Sequence, residues 1–328
     1  MRILLMAVDQ VIILPIISDL DGSGVFRYIF LSAVSVAFGY VVVWGQTRSL
    51  YRAHRLLKEK DAALSEVARH REELEYFNKN ITDSLLYAKK IQEALIPSEE
   101  FFRRHFSDSF IFFQPRDIVS GDFYYVCEKN NRTYVVVADC TGHGVPGALM
   151  SMIGLRMIDA IIEKDNPSPV VVLDNLNAEI EAAFHREDGF SQSIKDGMDI
   201  AICMIDKHAR QVEFAGSFLP LYFVRDGKLN EIRGDKIIIG RRIDGQSFTN
   251  HNTSLEEGDI FYMLSDGYSD QFGGLDNKKF MNRRLRYLLL TIHRYSHSDQ
   301  RDILSENISA WMGTNRQIDD MLVIGFRP

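Results

Sequence analysis

The chain has 328 residues, of which 46% are hydrophobic and 25% charged, enough for a large-cored globular domain plus a further segment. A formal net charge of −7 argues against nucleic acid as a partner, because binders of nucleic acid are normally basic. Cys127, Cys140 and Cys203 are an odd number without metal-ligand spacing, so they read as reduced thiols facing the cytosol.

The chain begins with a hydrophobic segment. Tyr28 to Gly45 is an uninterrupted apolar or small run, about 27 Å long as a helix and close to the thickness of a bilayer core. Ile3 to Ile17 is a weaker candidate, broken by Asp9, Gln10 and Pro15, and Asp19 to Gly24 reads as an acidic loop between the two. Arg48, Arg52, Arg55 and Lys58 follow and mark the cytoplasmic side. Residues 1–45 are therefore expected to be a membrane anchor, with two spans favoured over one and a buried hydrophobic helix pair as the alternative. The expected location is the inner (cytoplasmic) membrane, with the remaining chain in the cytoplasm.

Residues 46–97 carry no Gly, and no Pro until Pro97, and are rich in Leu, Ala, Glu, Lys and Arg. Alternating steps of three and four from Leu50 to Leu95 meet apolar residues at ten of fourteen positions, the pattern of a coiled-coil seam. Lys60, Arg71, Asn78 and Gln92 interrupt it. A parallel homodimer is the expected arrangement, since both chains would leave the same membrane face. The alternative is one amphipathic helix lying on its own globular domain.

Residues 98–328 form the globular part. Phe123–Val126 and Tyr134–Ala138 have strand composition and flank the polar turn at 128–132. Asp122 begins the first run and Asp139 ends the second, so an antiparallel hairpin sets both carboxylates at one end of a sheet. Gly142-His143-Gly144 follows, with Pro146 where a helix would begin. Carboxylates beside a glycine-rich turn suit a hard divalent cation, which prefers oxygen ligands. Helices are expected at Ala148–Lys164, Pro169–His185, Lys278–His293 and Asp299–Gly313, and strands at Asp199–Ile205, Gln211–Ala215, Leu221–Arg225, Ile260–Leu264 and Met321–Phe326. Many strands with clustered helices suggest an α+β fold of two packed sheets covered by helices.

The runs Ser120-Gly-Asp-Phe-Tyr and Ala138-Asp-Cys-Thr-Gly-His-Gly-Val-Pro-Gly-Ala resemble motifs of the metal-dependent Ser/Thr protein phosphatases of the 2C type (PPM), in their SpoIIE/RsbU branch. Asp196-Gly-Met-Asp, Leu264-Ser-Asp-Gly and Gln317-Ile-Asp-Asp-Met continue the likeness in the same order. The resemblance implies an αββα sandwich of mainly antiparallel sheets. It implies Asp122, Asp139, Asp266 and Asp319 as metal ligands, with the backbone carbonyl of Cys140. The implied cofactor is a pair of Mn²⁺ or Mg²⁺ ions, with a third ion as a further option. Four carboxylates would neutralise two such ions, which acidify water and orient it toward phosphorus. Asp199 stands as a third-metal ligand or a packed edge residue, and Asp320 as a support behind the ligands. His143 stands as a general acid or as a residue filling the first helical turn, and Arg116 as a phosphate-binding cation or a solvated charge. Two positions depart from the family pattern: Ser217-Phe218-Leu219 replaces an Asn-rich turn, and Ile239 stands where proline is usual. The implied partner is a phosphorylated regulatory protein of the anti-anti-sigma (STAS) type. The rival reading is a catalytically weak scaffold that binds a phosphoprotein with the same fold.

Overall fold

The structure, a computed structural model, describes residues 22–184, 197–240 and 246–328. The described residues fall into two compact units that divide between Asn80 and Ile81. Helix α1 (Gly22–Leu95) supplies all of the first unit's described structure and continues into the second. Its N-terminal part is long and apolar enough to cross a membrane, by length and composition. Gly22–Gly24, expected in a loop, already belong to this helix, while the candidate span at 3–17 lies outside the described residues. The seam residues Leu50, Leu57, Leu64, Val67 and Leu74 are all exposed. Gln92 departs from the seam reading, because it is buried in the globular unit.

The second unit is built on two antiparallel five-stranded sheets. One has the order β1 (Ser109–Gln114), β12 (Met321–Phe326), β9 (Ile260–Leu264), β6 (Leu221–Arg225), β7 (Lys228–Ile232). The other runs β2 (Phe123–Lys129), β3 (Arg132–Cys140), β4 (Met198–Asp206), β5 (Gln211–Ser217), β8 (His251–Ser254). Alternation along β3 explains the layering, since successive side chains point to opposite faces. Val135 and Val137 join Phe261, Leu322, Ile324 and Phe326 in the core between the sheets. Tyr134, Val136 and Ala138 instead meet helices α3 (Gly144–Asp165) and α4 (Pro169–Phe184) through Ile158, Ile162, Leu173 and Leu176. On the opposite side Tyr262, Leu264 and Val323 pack against α6 (Asn282–Ile292) and α7 (His297–Met312). This is the αββα sandwich expected from the sequence. Helix α3 is also long and apolar enough to span a membrane, but its inner face is part of this core.

The β2–β3 turn is made by Asn130 and Asn131, both at positive φ (50° and 63°), which suits a tight hairpin whose twist matches its strands. A short helix α2 (Glu99–His105), capped by Ser98, and strands β1, β7 and β8 were not anticipated. The helix expected at Lys278–His293 starts only at Asn282. Its first two residues instead form β11 (Lys278–Lys279), paired with β10 (Phe272–Gly273), and Met281 at φ 75° separates the hairpin from the helix. Lys278 and Lys279 carry no apolar signal that would distinguish a short edge strand from a helical turn.

Phe326 is fully buried in the core between the sheets and lies 4.7 Å from the Phe106 ring, just past α2, and 5.8 Å from the Phe261 ring of its own sheet. Phe326→Ala is expected to cost about 3–5 kcal/mol of stability, because the rigid sandwich cannot collapse into the cavity. Urea denaturation followed by circular dichroism measures this, and a loss below about 1 kcal/mol would show that the inter-sheet core is not set by this residue.

Candidate active site

The two sheets bring five carboxylates to one end of the sandwich. Asp122 immediately precedes β2, and Asp139 lies at the end of β3, directly opposite Asp199 of β4. From the other sheet, Asp266 follows β9 and precedes the short helix α5 (Gly267–Asp270), and Asp319 stands two residues before β12. Ser265 crosses between the sheets. Its hydroxyl donates to Asp122 Oδ2 at 2.5 Å and accepts from the Leu322 N–H at 3.1 Å. A cavity of about 320 Å³ opens here, lined by Asp139, Asp199, Asp266, Asp319, His143 and the Cys140–Gly142 turn.

Backbones pack unusually closely around this cavity. A Cβ on Gly121 would lie 2.7 Å from the Gly142 carbonyl oxygen, and one on Gly147 only 2.3 Å from it. A Cβ on Gly267 would meet the Asp320 carbonyl at 1.9 Å. Glycine at these positions lets the loops carrying Asp122, Asp139, Asp266 and Asp319 approach one another.

Charge accumulates without compensation inside the cluster. Burial, then the neighbouring Asp139, pushes the Asp122 carboxyl well above its ordinary range. Asp139 is raised by burial and by Asp266, Asp319 and Asp199. Burial and Asp270 raise Asp266, burial raises Asp319, and burial with Asp266 lifts Asp199 to about 6. The cations nearby are peripheral: Lys279 pairs with Asp270 at 2.6 Å and only weakly lowers Asp266, and His143 and Arg116 oppose the rise of Asp319 without cancelling it. Among the described residues no three His, Cys, Asp or Glu side chains stand in a ready-made coordination geometry. The donor set nevertheless fits hard divalent cations: it is all-oxygen, lines an open cavity, and is unfavourable as anions until positive charge enters.

The remaining expected residues occupy distinct places. The Cys140 thiol is buried and its pKa pushed well up, first by burial and then by Asp139, so the thiol is inert. Asp320 is buried and braces the loop before β2, accepting from the Arg116 and Gly121 N–H groups at 2.7 Å each. Arg116 itself is exposed, and its guanidinium donates to the Ile318 carbonyl at 2.9 Å. His143 takes the N-cap position of α3 without a side-chain cap bond, and its Nδ1 lies 3.1 Å from Asp117 Oδ2. An ionised Asp117 can only accept, so Nδ1 carries the proton in this contact. Asp117 was not anticipated as a partner. Its position beside Arg116 in the sequence gave no sign that it would meet a histidine twenty-six residues on.

The departures from the family pattern also gain a physical basis. Ile239 exchanges two backbone hydrogen bonds with Met198, donating and accepting at 3.3 Å, and proline has no N–H for this. The Ser217 hydroxyl donates to the Ile237 carbonyl at 2.5 Å, and the Phe218 N–H donates to the Asp235 carbonyl.

This fold is shared with the PP2C phosphatase domains. The SiaA-PP2C domain of Pseudomonas aeruginosa is 31% identical, with a TM-score of 0.69 over 76% of this chain and 98% of that domain. The PP2C phosphatase domain of the cell fate determinant SpoIIE from Bacillus subtilis, solved with a fragment of its regulatory domain, has the same fold at 17% identity. There the TM-score is 0.54, over 67% of this chain and 62% of that one. The family model for stage II sporulation protein E (SpoIIE) matches residues 129–328, and the chain belongs to this family. The phosphoserine phosphatase RsbU of Bacillus subtilis (strain 168) is 29% identical over 160 residues, 48% of this chain but only 44% of that protein's length.

Asp199 offers a test of the uncompensated charge. Between its ordinary value of 3.8 and about 6, the native state keeps a proton that the unfolded chain has lost, so stability falls as pH rises across that window. In chelator at pH 7.5, Asp199→Asn is therefore expected to melt above wild type, and the difference should close toward pH 4. Equal melting at both pH values would contradict the crowding of like charges.

Proposed function

We propose that this chain is a membrane-tethered protein phosphatase that hydrolyses phosphoserine or phosphothreonine on a regulatory protein. The observation that carries the reading is the convergence of five carboxylates, all raised in pKa, around one cavity at the end of a PP2C-type sandwich. The phosphoserine phosphatase RsbU among its relatives supports the same chemistry.

Asp122, Asp139, Asp266 and Asp319, with the Cys140 carbonyl, would hold two Mn²⁺ or Mg²⁺ ions, and Asp199 stands where a third could be reached. Such ions, when bound, acidify water and neutralise phosphoryl charge. Arg116 binds the phosphate oxygens, its guanidinium already steadied by the Ile318 carbonyl. In the hydrolysis, a water gives up a proton to solvent as its oxygen bonds to phosphorus, the bond from phosphorus to the seryl oxygen breaks, and that oxygen takes up a proton. Doubly protonated His143 supplies this proton from Nε2, while its Nδ1–H stays on Asp117 and orients the ring. Asp320 keeps Arg116 and Gly121 in register with the two sheets.

The family resemblance favours a phosphorylated STAS-type anti-anti-sigma protein as substrate. The apolar start of α1 serves as the tether in the cytoplasmic membrane, and its exposed leucine seam pairs two copies in parallel. The resulting architecture is an anchor over residues 1–45, a helical linker over 46–97 and a cytoplasmic phosphatase domain over 98–328.

Phosphate release from a phosphoserine peptide should require Mn²⁺ or Mg²⁺, and Asp139→Asn or Asp266→Asn should lower it by orders of magnitude without unfolding the chain. Turnover that persists in excess chelator would exclude the metal-assisted reading and leave the binding scaffold.

The proton donor has its own test. General acid catalysis contributes roughly 10²–10⁴-fold, and little of it when the leaving group needs no proton. His143→Gln should therefore slow phosphoserine hydrolysis far more than p-nitrophenyl phosphate hydrolysis. Equal losses would reduce His143 to a structural residue.

A further inference from the structure

Beyond the turn that carries Asp266, the chain forms a second concavity of about 730 Å³ that the chemistry above leaves unused. It opens among α6, α7 and the β10–β11 hairpin. Phe280, Leu288 and Trp311 line it together with the exposed Arg283, Arg284 and Tyr287. Its volume falls in the range of about 300–1,000 Å³ usual for binding pockets.

Two features select the occupant. The first is charge. Lys278, Lys279 and Arg286 nearby are paired with Asp276, Asp270 and Glu231, whereas Arg283 and Arg284 have no carboxylate partner among the described ion pairs. The Arg284 guanidinium lies over the Trp311 ring at 4.3 Å, which holds a cation at the edge of an apolar floor. The second is shape: Tyr287 is 73% exposed beside a concave apolar floor, which takes an inserted side chain but not a flat surface.

The groove is also wired to the catalytic end. Trp311 Nε1 donates to the Gln271 carbonyl at 3.0 Å. Gln271 Oε1 in turn accepts from the Ile318 N–H at 3.1 Å, one residue before Asp319. At the hairpin edge, Lys279 reaches Asp270 of the α5 turn that begins beside Asp266.

We propose that this groove docks the phosphoprotein substrate, through an acidic segment bearing a large apolar anchor and lying outside the phosphorylated residue. The proposal rests on the phosphatase reading. The segment's carboxylates pair with Arg283 and Arg284, and a Leu or Phe side chain enters over Trp311, Phe280 and Leu288. The groove thereby distinguishes among phosphoproteins whose phosphorylated residues look alike to the catalytic centre, because it reads sequence at a separate place.

The test uses the full chain in detergent micelles and a short fluorescein-labelled, unphosphorylated peptide of Glu, Asp, Leu and Phe, read by anisotropy. Binding is expected, and Arg283→Glu and Tyr287→Ala should each weaken it, the charge reversal by about tenfold. A peptide with Lys in place of the acidic residues should not bind. With a phosphoserine peptide carrying the same extension, both variants should raise KM while kcat and p-nitrophenyl phosphate turnover stay unchanged. No binding by wild type, or wild-type affinity in both variants, would overturn the proposal. So would loss of phosphatidylserine-vesicle binding by Arg283→Glu with peptide affinity intact, which would assign the groove to a lipid surface. Failure of wild type to hydrolyse p-nitrophenyl phosphate with Mn²⁺ would instead remove the phosphatase reading, and the anisotropy result would still decide whether the groove binds acidic segments.

Discussion

The structure depends on one unfavourable arrangement, the packing of Asp122, Asp139, Asp199, Asp266 and Asp319 against one another at the end of the sandwich. Each is raised in pKa by burial, and most are raised further by another aspartate of the group. Nothing local favours this. It is imposed by the inter-sheet core, where Val135, Val137, Phe261, Leu322 and Phe326 hold the two sheets face to face. With the sheets fixed, the end of β3 and the start of β4 must meet the end of β9 and the start of β12. The hydrophobic core thus offsets electrostatic strain that divalent cations would relieve, as expected where function is purchased at the expense of stability.

Hydrogen bonds around the cluster do the remaining positioning. The Ser265 hydroxyl links Asp122 to β12, and Asp320 directs both carboxylate oxygens at backbone N–H groups of the loop before β2. The end of α1 enters the same loop. Gln92 pairs with the Ser120 backbone in both directions, accepting its N–H at 3.1 Å and donating to its carbonyl at 2.6 Å. It donates as well to the Ser151 hydroxyl of α3 at 2.8 Å. The last turns of α1 are therefore part of the scaffold that sets Asp122, two residues beyond Ser120.

Much of this was legible in the sequence because the signals were local. The apolar runs of β2 and β3 and the aspartates at their ends are contiguous, and the Asn130–Asn131 turn lies between them. Asp122 and Asp139 stand out at such edges, whereas Asp266 and Asp319 are singled out as ligands only by the family resemblance. Residues whose roles depend on distant partners were not legible. Asp117 and Ser265 acquire meaning only when the loops around them meet His143 and Asp122. Gln92 shows the limit of periodicity: a seven-residue pattern marks the face of a helix, not whether its own domain or another chain covers that face. The Lys278–Lys279 strand, too short and polar for any periodic signal, was absorbed into a helix that begins only after Met281.

The most direct measurement of the central claim is equilibrium Mn²⁺ binding to the full chain at pH 7.5, by isothermal titration calorimetry, for wild type and for Asp139→Asn. The carboxylate cluster predicts at least two bound ions in wild type, proton release on binding because the ligands' pKa values are raised, and a loss of affinity or stoichiometry in the variant. Equal Mn²⁺ binding by both proteins, without proton release, would contradict the claim that these carboxylates form a metal site.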